Sequence, residues 1–143
     1  MNALRWTAIA FALNLLWEIG QIRLYTIYQD GDLATIAYAI AHCTVGDAMI
    51  AFACYLVAAG LTRDLAWPVH RPAAGIAIAV VSGLAYTVFS EWLNVSVRGS
   101  WAYAESMPRI SGIGVAPLLQ WLLVPLGTLF WLRFGGRAAK SSS

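Results

Sequence analysis

The chain has 143 residues, the length of one domain, of which 60% are hydrophobic and only 11% charged, where a soluble domain carries about 25%. A soluble core of this size cannot hide so much apolar surface, so lipid must take the place of water, which excludes a soluble enzyme, a disordered chain and a nucleic-acid binder. The formal net charge of +2 comes from few groups and points to no anionic partner.

A helix of about 20 apolar residues crosses the hydrocarbon core, and four such runs occur in chain order. The first covers residues 6–27 and contains Glu18 and Arg23. Arg5 before an apolar stretch imitates a signal peptide, but no small-x-small cleavage site follows, so the run reads as a retained first helix. The second run, 33–61, holds His42 and Asp47; the third is 73–95 and the fourth 115–132. Breakers or charges close each run: Asp30-Gly31-Asp32, then Arg63 to Pro72, then Arg98 to Gly114. An open lipid-facing sheet would leave backbone groups unpaired. The expected fold is therefore all-α, a single polytopic membrane domain over 1–143 with a four-helix bundle and a tail at 133–143. Pro117 and Pro125 are expected to kink the last helix.

Basic residues assign the sides of a membrane. Arg5, Arg63, Arg71, Arg133, Arg137 and Lys140 lie at the termini and second loop, against Arg23, Arg98 and Arg109 on the first and third loops. Both termini are thus expected in the cytoplasm, with the longest loop, 96–114, facing outward. Its Trp101 and Tyr103 suit an interface. Cys43 and Cys54 stand about 16 Å apart along one helix and cannot bridge each other.

An ionisable group at membrane depth is costly and suggests function. Glu18, His42, Asp47 and Glu91 are such groups, accompanied by Asn14, Gln21, Asn94 and Gln120. Asn14, Glu18, Gln21 and Tyr25 fall within an arc of roughly 60° on the first helix, and Thr87, Glu91 and Asn94 within a similar arc on the third. His42 and Asp47 are about 140° apart on the second; Gly46 between them offers a point of bending or unwinding. Glu18 and His42 share a depth of about 14 Å below the first loop, with Asp47 deeper at about 21 Å. The polar groups thus collect beneath the first and third loops, which predicts a polar cavity open to the outer face.

Three chemistries suit this arrangement. In the first, Glu18 and His42 form the central acid/base pair of an enzyme or binder for an apolar lipid, supported by Asp47 and Glu91. Trp17, Trp92 and Trp121 would offer ring faces to a developing cation during double-bond isomerisation or cyclisation, with Trp101 a further ligand contact. In the second, His42, Asp47, Glu18 and Glu91, with Cys43, hold a metal ion or pass protons, although no standard ligand spacing is present. In the third, glycines such as Gly20, Gly46 and Gly83 let the bundle pack on copies of itself or on a larger membrane complex. No motif requires a cofactor.

Asn14-Leu-Leu-Trp-Glu18 with Leu24-Tyr25, Gly46-Asp47, and Gln120-Trp121 before Pro125 resemble the EXPERA family of emopamil-binding sterol isomerases and sigma-type receptors. Asn14 stands where the isomerase pattern has His, and that pattern's second-helix Glu has no counterpart. Glu91 and Gly99-Ser-Trp101-Ala-Tyr103 more faintly resemble segments of bacterial carotenoid lycopene cyclases. Both resemblances imply isoprenoid-type ligands. The chain as a whole resembles small four-helix proteins of bacterial inner membranes, which implies that location.

Overall fold

A computed structural model describes residues 2–138 of the chain, so residues 139–143 of the expected tail, Lys140 among them, lie outside the described residues. Helix α1 (Asn2–Gln21) is followed by a 3₁₀ turn (Ile22–Leu24) and the short α2 (Ile27–Asp30). Next come α3 (Leu33–Thr62), the single turn α4 (Trp67–His70), and α5 (Pro72–Glu91), which runs on as a π-helical turn (Trp92–Val97). A hairpin of two-residue strands, β1 (Arg109–Ile110) and β2 (Ile113–Gly114), precedes α6 (Val115–Ala138).

Each boundary has a local cause. Asp32 caps α3 by accepting a 2.8 Å bond from the Thr35 N–H. Arg63 ends α3 in the left-handed conformation, at φ 54°. Pro72 begins α5, where a missing N–H costs nothing. Pro117 sits in the first turn of α6 for the same reason, which leaves Pro125 as the proline inside that helix. The hairpin turns through Ser111 and Gly112, both at positive φ.

Four long helices pack as a square. Helix α1 packs on α3 and α6, and α5 packs on the same two, so α1 and α5 face each other across a diagonal. The end carrying the chain termini is filled by Trp6, Tyr55, Trp67 and alanines such as Ala10, Ala51, Ala58 and Ala79. Its polar atoms turn to backbone: Trp6 Nε1 donates to the Ala51 carbonyl at 3.1 Å, Trp67 Nε1 donates to Tyr55 O at 3.3 Å, and the Tyr55 hydroxyl donates to Leu65 O. Gly75 admits the Trp67 ring, since a Cβ there would lie 2.0 Å from Trp67 Cε3.

At the opposite end, the 98–114 loop is bonded to the break after α1. Tyr25 and Tyr103 form an isolated antiparallel bridge, flanked by Thr26 N to Ala102 O at 3.0 Å and Ala104 N to Leu24 O at 2.9 Å. Tyr25, Tyr103 and Met107 make a second small core beneath it.

Three helical segments are long and apolar enough to cross a membrane: Leu33–Thr62, Pro72–Val97 and Val115–Gly135. Helix α1 falls outside that group by composition, and its regular part ends at Gln21 instead of continuing to residue 27. The third segment matches 73–95 closely, but its last turn is π-helical. Residues 133–138 continue α6 where a tail was expected, and the all-α reading omits the small hairpin.

Candidate functional site

Helix α1 reverses the usual arrangement of a surface helix. Its buried positions include Asn14, Glu18 and Gln21, while Leu4, Phe11, Leu16 and Ile19 point outward; Asn14 is 1% exposed and Leu16 68%. Polar side chains that leave a helix on its buried face must find partners there, because an unpaired buried group costs on the order of 1–3 kcal/mol.

They find them on α6 and α3, apart from Asn14 Nδ2, which has no hydrogen-bond partner among the described residues. The Gln21 amide donates to Glu18 Oε1 at 2.6 Å and to Gln120 Oε1 at 3.2 Å, and receives the Trp17 indole N–H at 3.0 Å. The Gln120 amide in turn donates to Asp47 Oδ2 at 2.7 Å, Asn14 Oδ1 at 3.0 Å and Glu18 Oε1 at 3.2 Å. Two amide protons thus serve three acceptors, and Gln120 becomes the hub. The carboxyl groups of Glu18 and Asp47 also lie within hydrogen-bonding reach of each other. Carboxylates only accept, so a bond between the two needs one proton held between them.

This network forms one wall of a cavity of about 410 Å³, within the range of small-molecule sites. Gln21, Tyr25, Asp47, Gln120 and Trp121 line it, and α5 supplies Tyr86, Thr87, Ser90, Glu91 and Asn94 on the far wall. Three carboxyl-bearing residues reach the cavity, with no Lys or Arg among its described lining residues.

Glu91 is buried and accepts a hydrogen bond from the Tyr103 hydroxyl, which itself accepts the Gly114 N–H at 3.0 Å. Burial, reinforced by the bond to Glu91, raises the Tyr103 phenol well above its ordinary range, so it remains a donor to the carboxyl group. The Trp101 indole N–H is buried near Glu91 and makes no hydrogen bond of ordinary geometry. Asn94 sits in the π-helical turn, and its amide returns to Ser90 O at 2.9 Å. A π-turn widens the helix and re-aims the side chains that follow it.

The sequence reading pairs Glu18 with His42, and the structure pairs Glu18 with Asp47. His42 lines the cavity, but it is exposed and stacks on Tyr38 at 5.7 Å; no hydrogen bond joins it to Glu18 among the described residues. Equal depth fixes height along a helix and leaves rotation open. Helix α3 also runs unbroken through Gly46, so no unwinding brings His42 and Asp47 onto one face, although both reach the cavity. Among the described residues no three His, Cys, Asp or Glu groups gather closely enough to hold a metal, so His42, Asp47, Glu18 and Glu91 do not form a ligand set.

Two of the four tryptophans are displaced from the expected lining. Trp17 braces Gln21 from outside the cavity, and Trp92 is exposed beside Phe89. Trp101 and Trp121 do line it, and Asn14 lies behind Gln120. Sequence reasoning passed over Tyr38, Tyr86, Ser90 and Ser100 as lining residues, and over Tyr103 as the partner of Glu91. Ser90 was within reach, since it neighbours Glu91 and precedes Asn94 by four. Tyr103 was not, because its contact depends on a loop returning to α5.

The fold and cavity define a class: a helical bundle with three segments of membrane-spanning length and apolarity, consistent with a membrane protein. No family model, curated protein or solved structure matches the chain.

Proposed function

We propose that the chain is a four-span protein of a bacterial cytoplasmic membrane, with both termini inside, that binds an apolar lipid or isoprenoid-type molecule and moves protons on it. The observation that carries this reading is the Glu18–Asp47 pair set in a cavity without Lys or Arg. Such a cavity disfavours an anionic headgroup and suits a neutral one, while its carboxyl groups can give and take protons. One carboxyl group protonates a double-bond carbon, and a carboxylate removes a proton from a neighbouring carbon. The double bond moves, and no co-reactant is consumed.

The outward apolar face of α1 supports the fourth span: Leu4, Phe11, Leu16 and Ile19 suit lipid, and the polar face is already occupied by α3 and α6. Arg5, Arg63, Arg71 and Arg133 lie at the ends of α1, α3, α5 and α6 away from the 98–114 loop, which supports the orientation.

The proton chemistry is tested with protein reconstituted in vesicles of host-membrane lipid extract in D2O, followed by mass spectrometry of the lipids. Wild type should place deuterium on carbon in one lipid species, and Glu18→Gln with Asp47→Asn should not. Equal labelling by both proteins would sink the reading. For topology, cysteines at Asp32 and Ser100, in a background lacking Cys43 and Cys54, should react with an impermeant maleimide in intact cells, while one at Ser142 should stay unlabelled.

A further inference from the structure

The two walls of the cavity differ in how their polar groups are satisfied. On the α1–α3–α6 wall the Glu18, Gln21 and Gln120 side chains bond one another, and Gln120 also holds Asp47. On the opposite wall, built by α5 and the 98–114 loop, two donors are less well served. The Thr87 hydroxyl is buried without a partner, on a residue 4% exposed that lines the cavity, while the Trp101 indole N–H, also on the cavity, lies within reach of the Glu91 carboxyl group without forming a bond of ordinary geometry.

Thr87 departs from the habit of the helix threonines. Thr7, Thr44 and Thr62 each return the hydroxyl to the carbonyl four residues back, at 3.0, 2.7 and 2.7 Å. Nothing else in a membrane interior satisfies such a group, so an unreturned hydroxyl facing a cavity is left free for an occupant. Thr128 Oγ1 and Asn14 Nδ2 are also unpaired, but neither residue lines the cavity. Thr87 stands one turn from Glu91, about 6 Å along the axis, and Trp101 approaches Glu91 from the loop side. The Thr87 hydroxyl is free to donate and the loosely held Trp101 N–H can turn from Glu91 to do so, and an N–H or O–H calls for an acceptor.

We infer that Thr87 on α5, with Trp101 on the loop beside it, docks an uncharged oxygen function, a carbonyl or a hydroxyl, on the apolar ligand. The inference rests on the lipid-binding reading and adds the ligand's chemical class and the end at which it is held. Thr87 is a binding residue on this account, separate from the Glu18–Asp47 pair, which works on another part of the same molecule.

The test uses full-length protein in nanodiscs, titrated with 1-hexadecanol, 2-heptadecanone and hexadecane, with tryptophan fluorescence as the readout because Trp101 and Trp121 line the cavity. The alcohol and ketone should bind about tenfold more tightly than the alkane, one charged-group-free hydrogen bond or slightly more. Thr87→Val removes the hydroxyl and keeps the shape, so it should erase that preference while leaving the melting temperature unchanged or higher. Thr87→Ser should restore the preference, and Trp101→Phe should reduce it. Equal binding of all three probes, or a Thr87→Val protein that keeps the preference, overturns this inference and leaves the lipid-binding reading standing. Binding of none of them overturns both.

Discussion

The two ends of the bundle solve the same problem in opposite ways. At the terminal end, bulky aromatic rings are seated against alanine and glycine, and Trp6, Trp67 and Tyr55 spend their polar atoms on backbone carbonyls. At the loop end, carboxyl and amide side chains bond one another around open space, and the Thr87 hydroxyl faces that space unpaired. Backbone acceptors cannot move, so the first arrangement is rigid and needs no occupant. Side-chain networks can re-partner, so the second can exchange a proton or a bond with a guest. Apolar packing and side-chain polar bonding are thus divided along the bundle axis, with Trp121 against Gly83 at their junction: a Cβ on Gly83 would lie 2.2 Å from Trp121 Cε3.

Substitutions at the terminal end should break the division by unfolding the protein. Trp67→Ala empties a site that is wholly buried and should cost about 3–5 kcal/mol, read by thermal denaturation in detergent. Gly75→Leu, which drives side-chain atoms into the Trp67 ring, should cost about 1–3 kcal/mol or more. In both, whatever protein remains folded should bind ligand normally.

At the loop end the order reverses. Gln120→Leu removes the donor shared by Asn14, Glu18 and Asp47 and should cost on the order of 2 kcal/mol while abolishing ligand binding. Asp47→Asn should shift stability by less than about 1 kcal/mol, since its amide can accept from Gln120 and donate to Glu18, and yet remove the proton chemistry. A large stability loss with unchanged deuterium labelling would show that Asp47 belongs with the structural end.

The smallest effect concerns pH. Asp64 accepts the Ala66 N–H at 2.7 Å and lies 2.9 Å from His70 Nδ1, and these contacts hold its carboxyl below the ordinary range. A group with a depressed folded pKa stabilises above its unfolded value and loses that contribution as pH falls through the folded one. The melting temperature should therefore drop slightly below about pH 4, and Asp64→Asn should flatten the drop. Asp64 is half-buried at the surface and its partner His70 is exposed, so the change should be small.

The apolar runs were legible because lipid demands them: three of the four segments match the expected ranges within a few residues, save that α6 runs on to Ala138. The inward face of Asn14, Glu18 and Gln21 was legible from helical spacing alone. The Glu18–Asp47 pairing was not, because it depends on how far α3 is rotated about its axis, and periodicity within one helix carries no reference to its neighbour. The break at Tyr25, the π-turn after Glu91 and the two-residue hairpin escaped for a related reason. Each is held by contacts between distant segments, such as Tyr25 with Tyr103, and leaves no periodic trace.

The hub at Gln120 also governs the order of assembly. Its bonds to Asn14, Glu18 and Asp47 close over 106, 102 and 73 residues of chain, the kind of long-range closure that comes late in folding. During synthesis the first helix emerges with its carboxyl and amide groups unmatched, and their partner arrives with the last helix. Until then α1 has reason to stay near water or a chaperone. A chain interrupted before residue 115 leaves those groups without their hub, which makes the arrival of α6 the step that completes the site.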